Sequence, residues 1–174
     1  MSDMPDHAHL PVPPLLVDLI LRPRWIIPVQ PRHQVLENHD LVVHEGRIVA
    51  LSPREQTARH YLAAATEDLP EHVLMPGLVN VHCHAAMALM RGIADDLPLQ
   101  TWLETAIWPR ESRWMSTDMV RDGTRLACAE MLQAGITTFN DMYFFPEAAA
   151  EAIDQAGIRA SLGILAFDFP SAYG

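Results

Sequence analysis

The sequence predicts an α/β fold, with a helix-covered parallel sheet over residues 73–174 and a smaller β unit over residues 16–72 before it. In the larger part, apolar strand-like runs alternate with helical stretches, the order that gives a parallel sheet with right-handed crossovers. In the smaller part, blocks rich in Val, Ile and Leu are interrupted by Pro23 and Pro28, which is typical of strands at sheet edges or bulges. Residues 1–15 mix Pro, Asp and His without an apolar period and are expected to be a disordered tail.

The composition is that of a folded protein with one ordinary core, since 49% of the 174 residues are hydrophobic and 20% are charged. No run of about 18 apolar residues is free of Pro or charge, and the N-terminus lacks the pattern of a secretory signal, so we expect no membrane partner. A net charge of −10 disfavours nucleic acid. The two cysteines offer at most one disulfide, which indicates a cytoplasmic protein.

Local patterns define the elements of the β unit. Gly46 separates two apolar runs, residues 41–43 and 48–51, and predicts a tight β-hairpin because glycine adopts positive φ. The Ser-Pro start of residues 52–65 predicts a short helix. An acidic link, residues 66–72, is expected to follow it.

The larger part opens with an apolar run, residues 73–84, whose polar side chains gather at its C-terminal end. This profile predicts a strand that is buried on both faces. Helices are predicted over residues 99–108, 118–133 and 146–156, and strands over residues 136–140 and 158–167. The longest helix carries a stripe of apolar and small residues at helical spacing: Val120, Gly123, Ala127, Met131 and Ala134.

His82 and His84 are the most informative residues of the chain. Residues i and i+2 of a strand face the same side, so both imidazoles can reach one metal, while Cys83 faces away and is expected to pack as a small hydrophobe. Imidazole suits zinc and other first-row divalent metals. The pattern alone is weak evidence, because His7 and His9 repeat it in the predicted tail.

The segment MPGLVNVHCH, residues 75–84, resembles the first strand of the amidohydrolase superfamily, metal-dependent hydrolases built on a (β/α)₈ barrel. Its pattern P-G-x-x-N/D-x-H-x-H is highly specific. Further segments look like the deaminase and chlorohydrolase branch, and within it the 5′-methylthioadenosine/S-adenosylhomocysteine deaminases. These segments are residues 85–97, 101–104, 108–111 and 135–143. The resemblance covers nearly everything after Leu16.

The resemblance implies roles for three residues. His82 and His84 match the first two metal ligands, for one zinc per active site, with iron as an alternative metal. Glu111 matches the acidic residue that binds the substrate ribose, and a carboxylate can accept both hydroxyl protons of a vicinal diol. By residue type alone, Glu111 could instead be a solvated acid at a helix end.

Other residues carry weaker hypotheses. Asp141 ends the second strand, where it could support the ligands or only the fold. Trp102, Trp108 and Trp114 could wall an adenine pocket or belong to the core.

The resemblance also implies that the chain holds only the N-terminal portion of the enzyme. Residues 73–174 fall well short of the about 250 residues of a closed barrel, so they represent about its first three strands. The N-terminal unit, residues 16–72, corresponds to part of a composite β-sandwich. In the family the third metal-binding His, the proton-transferring Glu and His and the metal-bound Asp lie on later strands. We therefore expect no catalytic residue in this chain, no activity of the chain alone and a homo-oligomer when complete.

The predicted function is the zinc-dependent hydrolytic deamination of an adenine nucleoside thioether, with release of ammonia. The small-molecule partner would be 5′-methylthioadenosine, S-adenosylhomocysteine or adenosine. Two alternatives stay open. One is an enzyme for another ring, a guanine-type deaminase or a triazine chlorohydrolase. The other is a catalytically inactive fragment that serves as a binding or assembly piece.

Overall fold

The computed structural model describes residues 13–166 and residue 168. The chain divides into two compact units between Pro76 and Gly77. Most of the predicted tail, residues 1–12, lies outside the described residues, and the first strand begins at Leu15. None of the helices in the described residues is long and apolar enough to cross a membrane.

The first unit is a five-stranded sheet with one short helix. Its elements are β1 (Leu15–Ile26), β2 (Leu36–Glu37), β3 (His39–His44), β4 (Arg47–Pro53), α1 (Arg54–His60) and β5 (Tyr61–Leu74). β5 runs parallel to β1, whereas β2 and β3 pair antiparallel with β1 and β4 pairs antiparallel with β3. Its small core is formed by Val17, Ile20 and Val42.

The predicted hairpin at Gly46 is confirmed. Residues Glu45 and Gly46 join β3 to β4, and both have positive φ, 50° and 70°. Two successive positive φ values are typical of a type I′ turn, whose twist matches that of the two strands.

The helix predicted over residues 52–65 and the link predicted over residues 66–72 are wrong. Only Arg54–His60 is helical, and the chain from Tyr61 to Leu74 is strand β5. β5 forms a ladder along nearly the whole of β1, with a register shift just after Pro23, where the missing N–H would otherwise interrupt the ladder. Pairing with a distant strand overrides the local preference of the segment.

The second unit alternates strands and helices. Its strands are β6 (Leu78–Cys83), β7 (Ile136–Met142) and β8 (Arg159–Gly163), parallel and in this order. Its helices are α2 (Leu99–Trp102), α3 (Trp108–Trp114), α4 (Thr117–Gln133) and α5 (Pro146–Ala156). A 3₁₀ turn, Ala85–Met90, follows β6, and a π-helical turn, Leu103–Ile107, joins α2 to α3. The helix predicted to end at residue 108 therefore continues to Trp114.

The apolar stripe of α4 packs as predicted up to Met131, and Ala134 lies just beyond the last helical residue. The Ser116 hydroxyl caps the helix by accepting the N–H of Met119 at 3.2 Å. At Gly123, a Cβ atom would overlap the backbone of Ala86. The helix backbone therefore lies directly against the 3₁₀ turn that follows His84.

The strand predicted over residues 73–84 is wrong in extent and in burial. Residues 73 and 74 belong to β5, and β6 begins at Leu78. The side chains of Leu78, Val79 and Val81 are 51%, 61% and 75% exposed. Within the part of the chain that the structure describes, β6 pairs only with β7 and is an edge strand, and side chains on both of its faces are exposed.

Candidate active site

His82 and His84 lie at the C-terminal end of β6 with their rings close together. The ring centroids are 5.0 Å apart and the ring planes are nearly perpendicular. The side chain of Asn80 accepts the backbone N–H of His82 at 3.2 Å, which holds the end of the strand. The spacing of two residues along a strand therefore brings both imidazoles to one place.

The orientation of His84 is fixed by β7. Its Nδ1 lies 2.7 Å from the backbone carbonyl oxygen of Met142. Because a carbonyl can only accept a hydrogen bond, Nδ1 carries the proton and donates it. The lone pair of the imidazole is then on Nε2, the arrangement found in metal-binding histidines whose other nitrogen donates to a carbonyl.

Asp141 holds the residue that follows His84. It is 2% exposed, and its Oδ1 accepts the backbone N–H of Ala85 at 2.9 Å. Burial raises the pKa of the Asp141 carboxyl, and the hydrogen bonds from backbone N–H groups partly oppose this rise. Asp141 and Met142 thus fix both His84 and the turn after it.

Glu111 is buried, not a solvated acid. It lies in α3 with 8% of its surface exposed, and the Tyr143 hydroxyl donates a hydrogen bond of 2.6 Å to its Oε1. Burial and the adjacent Glu111 carboxylate raise the pKa of Tyr143 far above its ordinary value. Tyr143 was not singled out from the sequence. The sequence signal that could have indicated it is its position two residues beyond Asp141, just past the end of β7.

One cavity of about 460 Å³ brings the three predicted site residues together, since His82, His84 and Glu111 all line it. Trp102 and Trp108 also line it. Trp114, the third candidate for an aromatic wall, is outside this lining and is 47% exposed. A second cavity of about 580 Å³ includes His84 but neither His82 nor Glu111, so it does not collect the candidate groups.

The π-helical turn helps to bring the aromatic side chains and Glu111 to this cavity. A π-turn places one more residue in a helical turn than an α-helix does, and such turns are frequent at functional sites. Here it lies between Trp102 and Trp108, one helical turn before Glu111. The helix prediction from the sequence carried no sign of this local widening.

The described residues contain only part of a metal site. Among them, no three His, Cys, Asp or Glu side chains lie close enough to hold a metal ion together. Two imidazoles, one of them preset by a backbone carbonyl, fit a partial zinc ligand set, since catalytic zinc takes three protein ligands and water. Cys83 is half-buried, and burial raises the pKa of its thiol to about 11, so it is protonated at neutral pH.

Residues 73–171, more than half of the chain, match the amidohydrolase family. The chain belongs to this family. It is 48% identical over 157 residues to a 5-methylthioadenosine/S-adenosylhomocysteine deaminase of Saccharophagus degradans, with 90% of this chain and 35% of the relative covered. It is 46% identical to the protein of the same name from Teredinibacter turnerae, covering 90% and 36%. The chain thus spans about a third of the length of these relatives.

Solved structures give the same picture. An adenosine deaminase from Xanthomonas campestris with bound zinc superposes with a TM-score of 0.90 at 43% identity, covering 92% of this chain and 37% of that one. A zinc complex of an atrazine chlorohydrolase from Arthrobacter aurescens gives 0.72 at 25% identity, covering 83% and 35%. The predicted resemblance and fold class, about three strands of a (β/α)₈ barrel hydrolase with a β unit in front, are thereby confirmed.

Proposed function

We propose that this chain carries the first metal-binding strand and the ribose-binding carboxylate of a zinc-dependent aminohydrolase. Its substrate would be an adenine nucleoside thioether, 5′-methylthioadenosine or S-adenosylhomocysteine, with adenosine as a further substrate and ammonia as a product. The observation that carries the proposal is the convergence of His82, His84 and Glu111 on one cavity. The deaminases among the similar proteins support the same reaction class.

Each of these residues has a chemical task. Nε2 of His84 and the imidazole of His82 would hold the metal, and the Met142 carbonyl keeps His84 in the required tautomer. The chemistry that bound zinc supplies is a lowered pKa of water, which provides a nucleophile at neutral pH. Glu111 would accept hydrogen bonds from the ribose hydroxyls.

Trp102 and Trp108 would form the apolar wall beside the purine and keep bulk water away from it. The remaining ligands and the groups that transfer protons would come from residues outside the described part of the chain. We therefore expect no turnover by the described residues alone. Iron remains an alternative metal, and a cytoplasmic homo-oligomer remains a prediction.

A second candidate is an enzyme that acts on a ring without a sugar, such as a triazine. The fold similarity to the chlorohydrolase favours it, because the same metal chemistry could expel chloride. A free triazine or purine base has no vicinal diol, so the buried Glu111 carboxylate would have no evident task. Substrates with and without ribose therefore separate the two candidates.

The test is metal analysis combined with ammonia release, on protein expressed with any continuation of the reading frame. Wild type should contain one zinc and deaminate adenine nucleosides in preference to guanine, and it should release no chloride from a chlorotriazine. His82→Ala and His84→Ala should each lose the metal and at least about 100-fold in activity, because even the supporting residues of such sites are worth 10–100-fold.

The matched controls are His7→Ala and His9→Ala, which change the other His-x-His pair of the chain and should leave metal and rate unchanged. Full activity with stoichiometric metal in His82→Ala would exclude the proposed metal site. Binding without turnover by the wild-type protein under all metal conditions would favour the inactive binding piece.

A further inference from the structure

Glu111 and Tyr143 form a buried hydrogen-bonded pair in the wall of the candidate cavity. They come from different elements, helix α3 and the segment just after β7, and both are less than a tenth exposed. Their contact of 2.6 Å is short, as expected when a hydroxyl donates to a carboxylate. A contact this close between buried groups fixes the position of the carboxylate.

The pair presents only hydrogen-bond acceptors to a ligand. A phenol has one hydrogen to donate, and here it goes to Oε1 of Glu111. A phenol is protonated throughout the neutral range, so that hydrogen stays in place. The lone pairs that remain, on the carboxylate and on the phenol oxygen, can accept from a ligand but cannot donate to it.

We propose that Tyr143 is a positioning residue that determines specificity: by fixing Glu111 through Oε1, it makes this end of the cavity select ligands with two neighbouring hydroxyl donors. A ribose diol fits, whereas a deoxygenated sugar offers no donor and a phosphate would meet like charge. This inference rests on the proposed function, since it takes the ligand of Glu111 to be a nucleoside.

The energetic reason is preorganisation. A glutamate side chain has several rotatable bonds, and ordering it on binding would reduce affinity. The Tyr143 hydrogen bond orders the carboxylate before the ligand arrives. The Tyr143 ring also contacts Phe144 edge to face at 5.1 Å, so its packing is separate from its hydroxyl. Tyr143→Phe keeps the ring and removes only the hydrogen bond.

The experiment measures calorimetric binding of inosine and 2′,3′-dideoxyinosine to the zinc-loaded enzyme. These product-type nucleosides have no amine to lose and differ only in the diol. Wild type, Tyr143→Phe, Glu111→Gln and the double variant are compared, with Tyr61→Phe, a tyrosine of the first unit, as the control.

Wild type should bind inosine more tightly than the dideoxy compound. Tyr143→Phe should weaken inosine binding roughly tenfold, the value of about one hydrogen bond to a charged group, and leave the dideoxy compound unchanged. In the Glu111→Gln background the same substitution should have no further effect on the ratio, and Tyr61→Phe should match wild type. Zinc content should be equal in all variants.

Two results would overturn the inference while the proposed function stands. In one, wild type discriminates between the ligands and Tyr143→Phe discriminates equally well. In the other, Tyr143→Phe weakens both ligands to the same extent, which would mark a purely structural role. If wild type binds both nucleosides equally or binds neither, the proposed function fails, and this inference fails with it.

Discussion

At the scale of single residues, Tyr143 shows how burial and a neighbouring charge act in the same direction. Both disfavour the tyrosinate, so the pKa in the folded state lies above the unfolded value of about 10. A raised pKa means that the contribution to stability is complete below that unfolded value and is lost as the pH rises above it. The bond to Glu111 is therefore intact throughout the neutral range.

We therefore expect Tyr143 to stay protonated when the folded protein is titrated and tyrosinate is followed by its absorbance. At about pH 11, where exposed tyrosines ionise, folded wild type and folded Tyr143→Phe should show the same tyrosinate absorbance at 295 nm. After unfolding in denaturant, wild type should exceed the variant by one tyrosinate. An excess of one tyrosinate already present in the folded protein would show that Tyr143 ionises normally.

Residue-level features differed in how far they could be predicted. The spacing of His82 and His84 at a strand end predicts that both side chains face one side, and their rings do lie close together. The carbonyl of Met142 could not be found, since every residue carries one and only the fold decides which faces His84. Glu111 was predicted as a site residue through the family resemblance. Its hydrogen bond with Tyr143 could be seen only in the structure.

At the scale of elements, helix α4 can pack closely against the 3₁₀ turn because Gly123 has no side chain. Gly123 is buried, and a Cβ there would meet the Ala86 backbone, which cannot move aside as a flexible side chain could. The contact joins the middle of α4 to the 3₁₀ turn that begins directly after His84. The packing of this helix thus bears on the position of a candidate metal ligand.

Gly123→Ala should therefore destabilise the protein by about 1–3 kcal/mol through overpacking, although alanine favours a helix by about 1 kcal/mol. Denaturant unfolding measures the loss, and zinc affinity should fall with it because the displaced turn follows His84. Asp122→Ala, at the exposed neighbouring position, should change stability by less than about 0.5 kcal/mol. An unchanged or higher stability of Gly123→Ala would contradict the close contact.

Elements with strong local end signals were predicted well. Helix α5 runs from Pro146 to Ala156 as expected, because proline suits the first turn and Gly157 takes the left-handed conformation after the last one. β5 was predicted as helix and link, since its pairing with the distant β1 leaves no local signal. The π-turn at Leu103–Ile107 also has no local sequence signal that would have predicted it.

At the scale of the whole molecule, the exposure of β6 on both of its faces is the main departure from the expected burial. Leu78, Val79 and Val81 are apolar and at least half exposed along an edge without a paired strand in the described sheet. Such an edge is a site for association through further strands. The apolar profile of the segment predicted a strand buried on both faces, and among the described residues nothing buries it.

The 174-residue chain by itself should therefore self-associate at micromolar concentration. Val79→Lys and Val81→Lys should shift it toward a monomer, because charge on an edge strand opposes pairing. Leu132→Lys, at an exposed position of helix α4, is the matched control and should leave association unchanged. Size-exclusion chromatography with light scattering measures the effect. A monodisperse wild-type chain at these concentrations would refute it.

The π-turn between α2 and α3 separates two tasks of the candidate site. It amounts to one inserted residue, and its removal would restore a regular helix and rotate α3 by about 100°. That rotation would carry Trp108 and Glu111 away from the cavity, while His82 and His84 would stay at the end of β6. If the proposed function holds, recognition of the ligand and binding of the metal are encoded in separate stretches of sequence, and a change in the length of one helical turn would alter the first and leave the second intact.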